Sequence, residues 1–174
     1  MAEARGELDL RRELEALHAA SFGWALACAA RERDEAADVL QEVYWKVLSG
    51  RARYGGRSSF KTWLFGVIRL TAIEQRRFRF ARRREIPTAD TTDVADVPAP
   101  SGPLVDRRTA EAISRALGAL SEKQREVLHL VFYEGLSIAE ASEVMGVSLG
   151  TARLHYERGK AHMLAILTKE GVTL

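Results

Sequence analysis

Apolar residues recur at helical spacing through most of the chain, and no stretch of useful length alternates with the period of a strand. Leu10, Leu14 and Leu17 mark one helical face. Val39, Leu40, Val43, Val47 and Leu48 mark a second, on a helix expected from about 34 to 49. Three glycines between positions 50 and 57 then break the pattern. A third helix is predicted to begin near Ser58 or Ser59, either of which can cap it, and to run through Phe60, Trp63, Leu64, Val67 and Ile68 into an arginine run. All four prolines, Pro87, Pro98, Pro100 and Pro103, share one window with Asp90, Asp93, Asp96, Ser101 and Gly102. That composition predicts a flexible acidic linker over 86–105, with too little bulky apolar surface to offset its own ordering entropy. A segment of that size spans roughly 25 Å as a coil and up to about 70 Å when extended.

Beyond the linker the helix starts are marked by side chains. Ser121-Glu122-Lys123-Gln124 and Ser137-Ile138-Ala139-Glu140 both carry capping-box spacing, in which a serine and the residue three places on close each other's open backbone N–H groups. The first helix is expected to run through Val127, Leu128, Val131 and Phe132 to a stop at Gly135, and the second to end at Gly146. Ser148 then caps a longer helix whose buried face is predicted to be Ala152, Tyr156, Met163, Ile166 and Leu167. The pattern is that of an all-α protein. Two small helical domains, 8–85 and 106–170, are joined by the acidic Pro-containing linker, and the second contains a helix-turn-helix.

Within 138–157, a short helix, the turn Gly146-Val147-Ser148 and a second helix form an outline that suits the major groove of DNA. Ser148, Gly150 and Thr151 stand at the start of that second helix, where hydroxyls and backbone N–H groups can hold phosphate. Arg153, Leu154, Glu157 and Arg158 follow on its exposed side. Arginine can bond guanine O6 and N7 together, and glutamate can accept from cytosine N4. An ordinary αα-hairpin with a solvated charged face has the same outline.

Charge changes the picture through its distribution. The 26 Lys and Arg nearly balance 24 Asp and Glu, yet six arginines fall between Arg76 and Arg84 and none between Glu85 and Asp106. Cys28 is the single cysteine, so neither an intramolecular disulfide nor a cysteine zinc cluster is expected. His18, His129, His155 and His162 are scattered, and His155 with His162 lacks the i, i+4 spacing of a helical metal pair. With no serine nucleophile motif and no phosphate-cradling glycine loop, no catalytic residue, metal, cofactor or small-molecule substrate is predicted. The start, Met1 to Arg5, leads into a charged amphipathic stretch, and the longest apolar run, Phe22 to Ala30, falls far short of the roughly 20 residues of a membrane span. A soluble, cytoplasmic protein is expected.

Leu120-Ser121-Glu122-Lys123-Gln124-Arg125-Glu126-Val127-Leu128, Glu134-Gly135-Leu136-Ser137-Ile138-Ala139-Glu140 and Gly150-Thr151-Ala152-Arg153 together resemble the promoter-reading C-terminal domain of extracytoplasmic-function sigma factors, within the sigma-70 family. Asp38-Val39-Leu40-Gln41-Glu42-Val43-Tyr44-Trp45-Lys46-Val47 resembles the family's core-polymerase-binding helix. Ser58-Ser59-Phe60-Lys61-Thr62-Trp63-Leu64 resembles its promoter-melting segment. The likeness spans nearly the whole chain in the family's order. It departs from the family pattern at Leu70, where Asn is usual, at Arg57, where an acidic residue is common, at Leu154, often Ser, and at Ser148, frequently Pro.

The resemblance implies a sigma factor, not an enzyme, that binds core RNA polymerase and promoter DNA. In that reading residues 8–85 bind the core and melt the downstream promoter element, while 106–170 read the upstream one. Core binding falls within 38–51, where Asp38, Gln41, Glu42 and Trp45 share a helical face away from the apolar stripe. Acidic and amide groups around an aromatic anchor suit an arginine-bearing partner, which the resemblance implies is the clamp coiled coil of the largest polymerase subunit.

Tyr54, Arg57, Ser58, Ser59, Phe60 and Trp63 are the candidates for holding a separated strand, with Lys61, Arg69, Arg76 and Arg77 along its phosphates. Phe60 and Trp63 also sit at core spacing, Trp63 above all. The family further implies an anti-sigma partner, often membrane-anchored. Two rivals are a stand-alone helix-turn-helix regulator, which accounts only for the C-terminal motif, and a nuclease or resolvase-like enzyme, for which the residues are missing.

Overall fold

In the computed structural model, described residues comprise 2–85 and 107–171, with side chains described for 9–82 and 107–171. The predicted linker, 86–105, lies outside them. Every regular element among the described residues is helical, and the chain divides into two compact units, 1–94 and 95–174.

The first unit holds α1 (Ala2–Ala16), α2 (His18–Cys28), α3 (Arg33–Leu48) and α4 (Phe60–Glu85). The face of Leu10, Leu14 and Leu17 does not run on in one helix. The chain breaks at Leu17 (φ −95°, ψ 0°) and starts α2, which the sequence pattern had not separated. This helix supplies the centre of the core: Trp24 is fully buried, stacks on Phe65 at 6.1 Å between ring centroids and donates its indole N–H to the Phe65 carbonyl at 3.0 Å. A buried indole needs such a partner, and truncating a residue of this kind costs about 3–5 kcal/mol.

Ala30 and Arg31 turn the chain toward α3 with left-handed φ values of 50° and 69°. Asp34 and Glu35 in the first turn of α3 and Lys46 in its last suit the helix dipole. Ala36, Val39, Leu40, Val43 and Val47 bury its inner face, against which Leu64, Phe65, Ile68 and Ala72 of α4 are also buried. Leu48 belongs to the predicted stripe but is 43 % exposed.

The second unit holds α5 (Arg107–Ala119), α6 (Glu122–Leu128), a π-helix (His129–Tyr133), α7 (Ile138–Met145) and α8 (Leu149–Lys169). Both capping boxes form in full. The helix opened by Ser121 does not continue regularly to Gly135: the π turn widens it from His129, and Phe132 points outward instead of into the core. Gly146 ends α7 in the left-handed conformation (φ 63°) that a residue without Cβ adopts freely. On α8, Ala152 and Leu167 are buried as expected, while Tyr156, Met163 and Ile166 are half-buried. Ala112 and Ala116 of α5 close over Leu167, with Ile113, Met163 and Ile166 at the edge.

Candidate protein and nucleic-acid interfaces

Asp38, Gln41, Glu42 and Trp45 come together on one wall of a groove of about 790 Å³ in the first unit. The facing wall is α4, through Thr71, Glu74, Gln75, Phe78 and Arg79. The helices run antiparallel there. Lys46 Nζ reaches Thr71 Oγ1 at 3.2 Å and Glu74 Oε2 at 2.9 Å, the Gln75 amide donates to the Asp38 carbonyl at 3.5 Å, and Arg79 Nη1 pairs with Glu35 Oε1 at 2.6 Å.

Of the groove's cations, Lys46 is held by Glu74 across the groove and Arg79 by Glu35 just beyond it. Glu42 lies 3.9 Å from Lys46, whereas the Asp38 carboxylate has no hydrogen-bond or ion-pair partner among the described residues. Trp45 is 45 % exposed, and the Arg51 guanidinium lies over its ring at 4.1 Å from the centroid. A carboxylate with no described partner, on the same groove as an exposed aromatic, can accept a cationic partner without first breaking an internal pair.

At the other end of α3, backbone N–H groups of Gly50 and Ala52 return to the Val47 and Lys46 carbonyls at 3.1 and 2.8 Å, and Gly50 takes φ 73°. The loop that follows is built around three rings. Tyr54 lies 5.4 Å from Phe60 and 5.5 Å from Trp63, and Phe60 lies 5.3 Å from Trp63. The Tyr54 hydroxyl donates to the Ser58 carbonyl and closes the loop. Phe60 and Trp63 are half-buried and Tyr54 is exposed, so the three rings form a platform at the surface. Of the loop's arginines, Arg51 is on Trp45 and Arg53 donates to the Gly50 carbonyl at 3.1 Å; Arg57 is exposed with no partner among the described residues.

Two candidates change role. Ser59 caps α4, accepting from the Thr62 N–H at 3.1 Å and bonding the Thr62 hydroxyl at 2.8 Å, so its hydroxyl is engaged by the helix start. Arg69 is only 7 % exposed and engaged within the protein, because its position on α4 turns toward the core; it does not join a phosphate-facing surface. Lys61 is half-buried with its ammonium 5.3 Å from the Phe65 ring, whereas Arg76 and Arg77 are exposed.

In the second unit Ser148, Gly150, Thr151, Arg153, Leu154, Glu157 and Arg158 are all exposed on α8, beyond the Gly146 turn. Ser148 repeats the Ser59 arrangement: its Oγ accepts from the Thr151 N–H at 3.1 Å and meets the Thr151 hydroxyl at 2.9 Å. The opposite face of α8 fits closely, for a Cβ on Gly159 would stand 3.1 Å from Leu128 Cδ1. Phe132 stacks on Tyr156 at 6.0 Å, and Lys160 lies over Tyr156 at 5.0 Å. The sequence reading missed Phe78 and Arg51, which do not follow the apolar period, and the outward stack of Phe132, which the period had turned inward; an aromatic set among arginines at 76–80 is the one signal that stood in view.

One unit carries a helix-turn-helix, and the other a groove between two helices and a cluster of rings at the surface. Models of sigma-70 region 2 and sigma-70 region 4 match residues 15–84 and 110–163. The chain is 34 % identical over 133 residues to the ECF RNA polymerase sigma factor SigX of Bacillus subtilis, covering 74 % of this chain and 69 % of that one. It is 27 % identical over 159 residues to the RNA polymerase sigma factor NccH of Alcaligenes xylosoxydans xylosoxydans, covering 86 % and 84 %. The sigma factor RpoE of Bartonella quintana, solved in complex with the anti-sigma factor NepR, superposes with a TM-score of 0.75 at 26 % identity, over 92 % of this chain and 97 % of that one. CnrH, solved with the cytosolic domain of CnrY, shares the fold with a TM-score of 0.59 at 22 % identity, over 90 % and 86 %. The chain belongs to the sigma-70 family as an ECF sigma factor, and directs promoter-specific transcription. Among the described residues no helix is long and apolar enough to cross a membrane.

Proposed function

We propose that residues 8–85 dock on core RNA polymerase through Asp38, Gln41, Glu42 and Trp45 and hold a separated strand of the downstream promoter element at the 54–63 platform, while 106–170 read the upstream element. The protein acts in the cytoplasm as a binding subunit, with no catalytic step of its own. The observation that carries the docking assignment is the groove itself, where an unpartnered Asp38 carboxylate and a half-exposed Trp45 face the same opening. Tyr54, Phe60 and Trp63 give bases a stacking surface, Ser58 and Arg57 lie at its edge, and Arg76 and Arg77 continue the positive path along α4. On α8, Arg153, Glu157 and Arg158 face bases and phosphates, with Ser148, Gly150 and Thr151 at the positive end of the helix.

An anti-sigma protein is the second partner in this reading, supported by the complex in which the similar RpoE was solved. In vitro transcription with core polymerase and a pool of promoter fragments tests the whole assignment. Specific initiation should appear with the wild type and vanish for the Asp38→Arg/Glu42→Arg double variant. A stand-alone regulator would instead bind DNA and never co-purify with core polymerase.

A further inference from the structure

We infer that the polymerase-docking surface is a two-walled groove, and that Phe78 of α4 is its second apolar anchor. The inference rests on the docking role proposed above for α3 and extends it to a helix that role did not include. On α3, Asp38, Gln41, Glu42 and Trp45 stand at i, i+3, i+4 and i+7; on α4, Thr71, Glu74, Gln75 and Phe78 repeat that spacing, and all eight line one groove. The contacts between the two helices fix how the stripes oppose. Lys46 meets Thr71 and Glu74 at one end; Asp38 meets Gln75, and Glu35 meets Arg79, at the other. Trp45 therefore stands at the first end, and Phe78 at the second beside Asp38.

Phe78 is 69 % exposed, more than Trp45 at 45 %, so most of its ring is left uncovered by the described residues. A phenyl ring left in water beside a free carboxylate costs solvation that a partner recovers on docking. Seven residues of helix separate the two ends, roughly 10 Å. The occupant that fits is a helix of core polymerase with two apolar residues about two turns apart and an arginine or lysine next to the one that meets Phe78. Charge selects this orientation, because the carboxylates near Trp45 already hold Lys46, while among the groove's carboxylates Asp38 has no partner in the described residues. The groove closes one side of α4, the helix that also carries Arg76 and Arg77, so a single element meets both protein and nucleic acid.

The test measures affinity of the full chain for core polymerase without DNA, for wild type, Asp38→Arg, Trp45→Ala, Phe78→Ala and Phe78→Leu, with helicity followed by circular dichroism. Phe78→Ala should weaken binding about tenfold or more, as Trp45→Ala does, and Phe78→Leu should keep most of it. Helicity should not change, since Phe78 packs little in its own unit. Normal binding by Phe78→Ala, with Asp38→Arg and Trp45→Ala impaired, overturns the second anchor and leaves the α3 reading intact. Normal binding by all four variants overturns both. A Phe78→Ala protein that binds core normally but opens promoters poorly also overturns the anchor, and moves Phe78 to the DNA side.

Discussion

Gly159 on α8 lies against Leu128 on α6 with little room to spare: an added Cβ would be 3.1 Å from Leu128 Cδ1 and 3.3 Å from Gln124 Cβ. Leu128 is itself buried, so it has little freedom to withdraw. A glycine in mid-helix forgoes about 1 kcal/mol of helix propensity, which the close approach of α6 and α8 offsets. Gly159→Val should lower stability by about 2–3 kcal/mol through overpacking, read as a drop in the urea midpoint. Gly159→Ala, whose propensity gain opposes its crowding, should lie within about 1 kcal/mol of wild type.

The first helix of the helix-turn-helix opens at Ser137, whose hydroxyl accepts from the Glu140 N–H at 3.2 Å while Glu140 accepts from the Ser137 N–H at 2.9 Å. Ser137→Ala should cost about 1 kcal/mol, and Ser137→Thr, whose hydroxyl can still accept from the Glu140 N–H and donate to its carboxylate, much less. Thermal unfolding of both variants distinguishes loss of the cap from loss of a mere surface hydroxyl.

Arg115 and Glu170 join α5 to the end of α8, with the guanidinium Nε 3.0 Å from Glu170 Oε1 and a second bond from Nη2 to Oε2. The Arg115 hydrogen bond holds the Glu170 carboxyl below its ordinary range. A folded-state value below the unfolded one means that the pair's stabilisation is complete above the unfolded value and is lost as pH falls through the folded one. Glu170→Gln should flatten that acid limb, with a small effect that shrinks in high salt because the pair is exposed.

Arg153 and Arg158 separate two modes of contact on the exposed face of α8. A bidentate base contact would lose about 1–3 kcal/mol as Ala and relax preference at one base pair. A phosphate contact would weaken binding on all sequences and reduce the salt slope by about one. Unchanged upstream binding by both Ala variants would remove α8 from the interface.

Tyr54→Ala and Arg57→Asp should leave upstream binding normal but impair opening of duplex promoters, with partial rescue on a pre-melted bubble. Tyr54 carries two of the three ring contacts of the platform, and Arg57 is the loop arginine not engaged by the protein. Open-complex formation on the two templates is the measurement. Altered upstream binding with normal opening would assign the loop a different task.

What the sequence made legible was whatever repeats locally. The stripe from Val39 to Val47, the capping serines and the exposed face of α8 each depend on spacing within one helix, and spacing is written in the chain. Arg69 was misplaced for the opposite reason. It is one of many arginines on α4, and which of them turns inward depends on the packing of α2 and α3 rather than on its neighbours in sequence. Trp24 went unremarked in an apolar run whose bond to Phe65 crosses 41 residues, and α5, rich in alanine, gave little signal until Leu167 closed over it. The groove is legible on one wall only, because Phe78 becomes part of it through the antiparallel run of α4 along α3.

The π turn at His129–Tyr133 gives this chain a place where its length is negotiable. Glu134 returns its N–H to His129 across five residues, at 3.2 Å, so the turn holds one residue more than regular winding requires. Loss of one residue there can be absorbed by tightening the coil, with the Ser121 and Ser137 caps on either side left as anchors. The aromatic pair displayed on that turn, Phe132 and Tyr133, would be rotated, and the stack of Phe132 on Tyr156 of α8 would be lost or rebuilt. One outward surface of the second unit can thereby change its winding while the caps that begin α6 and α7 stay in place.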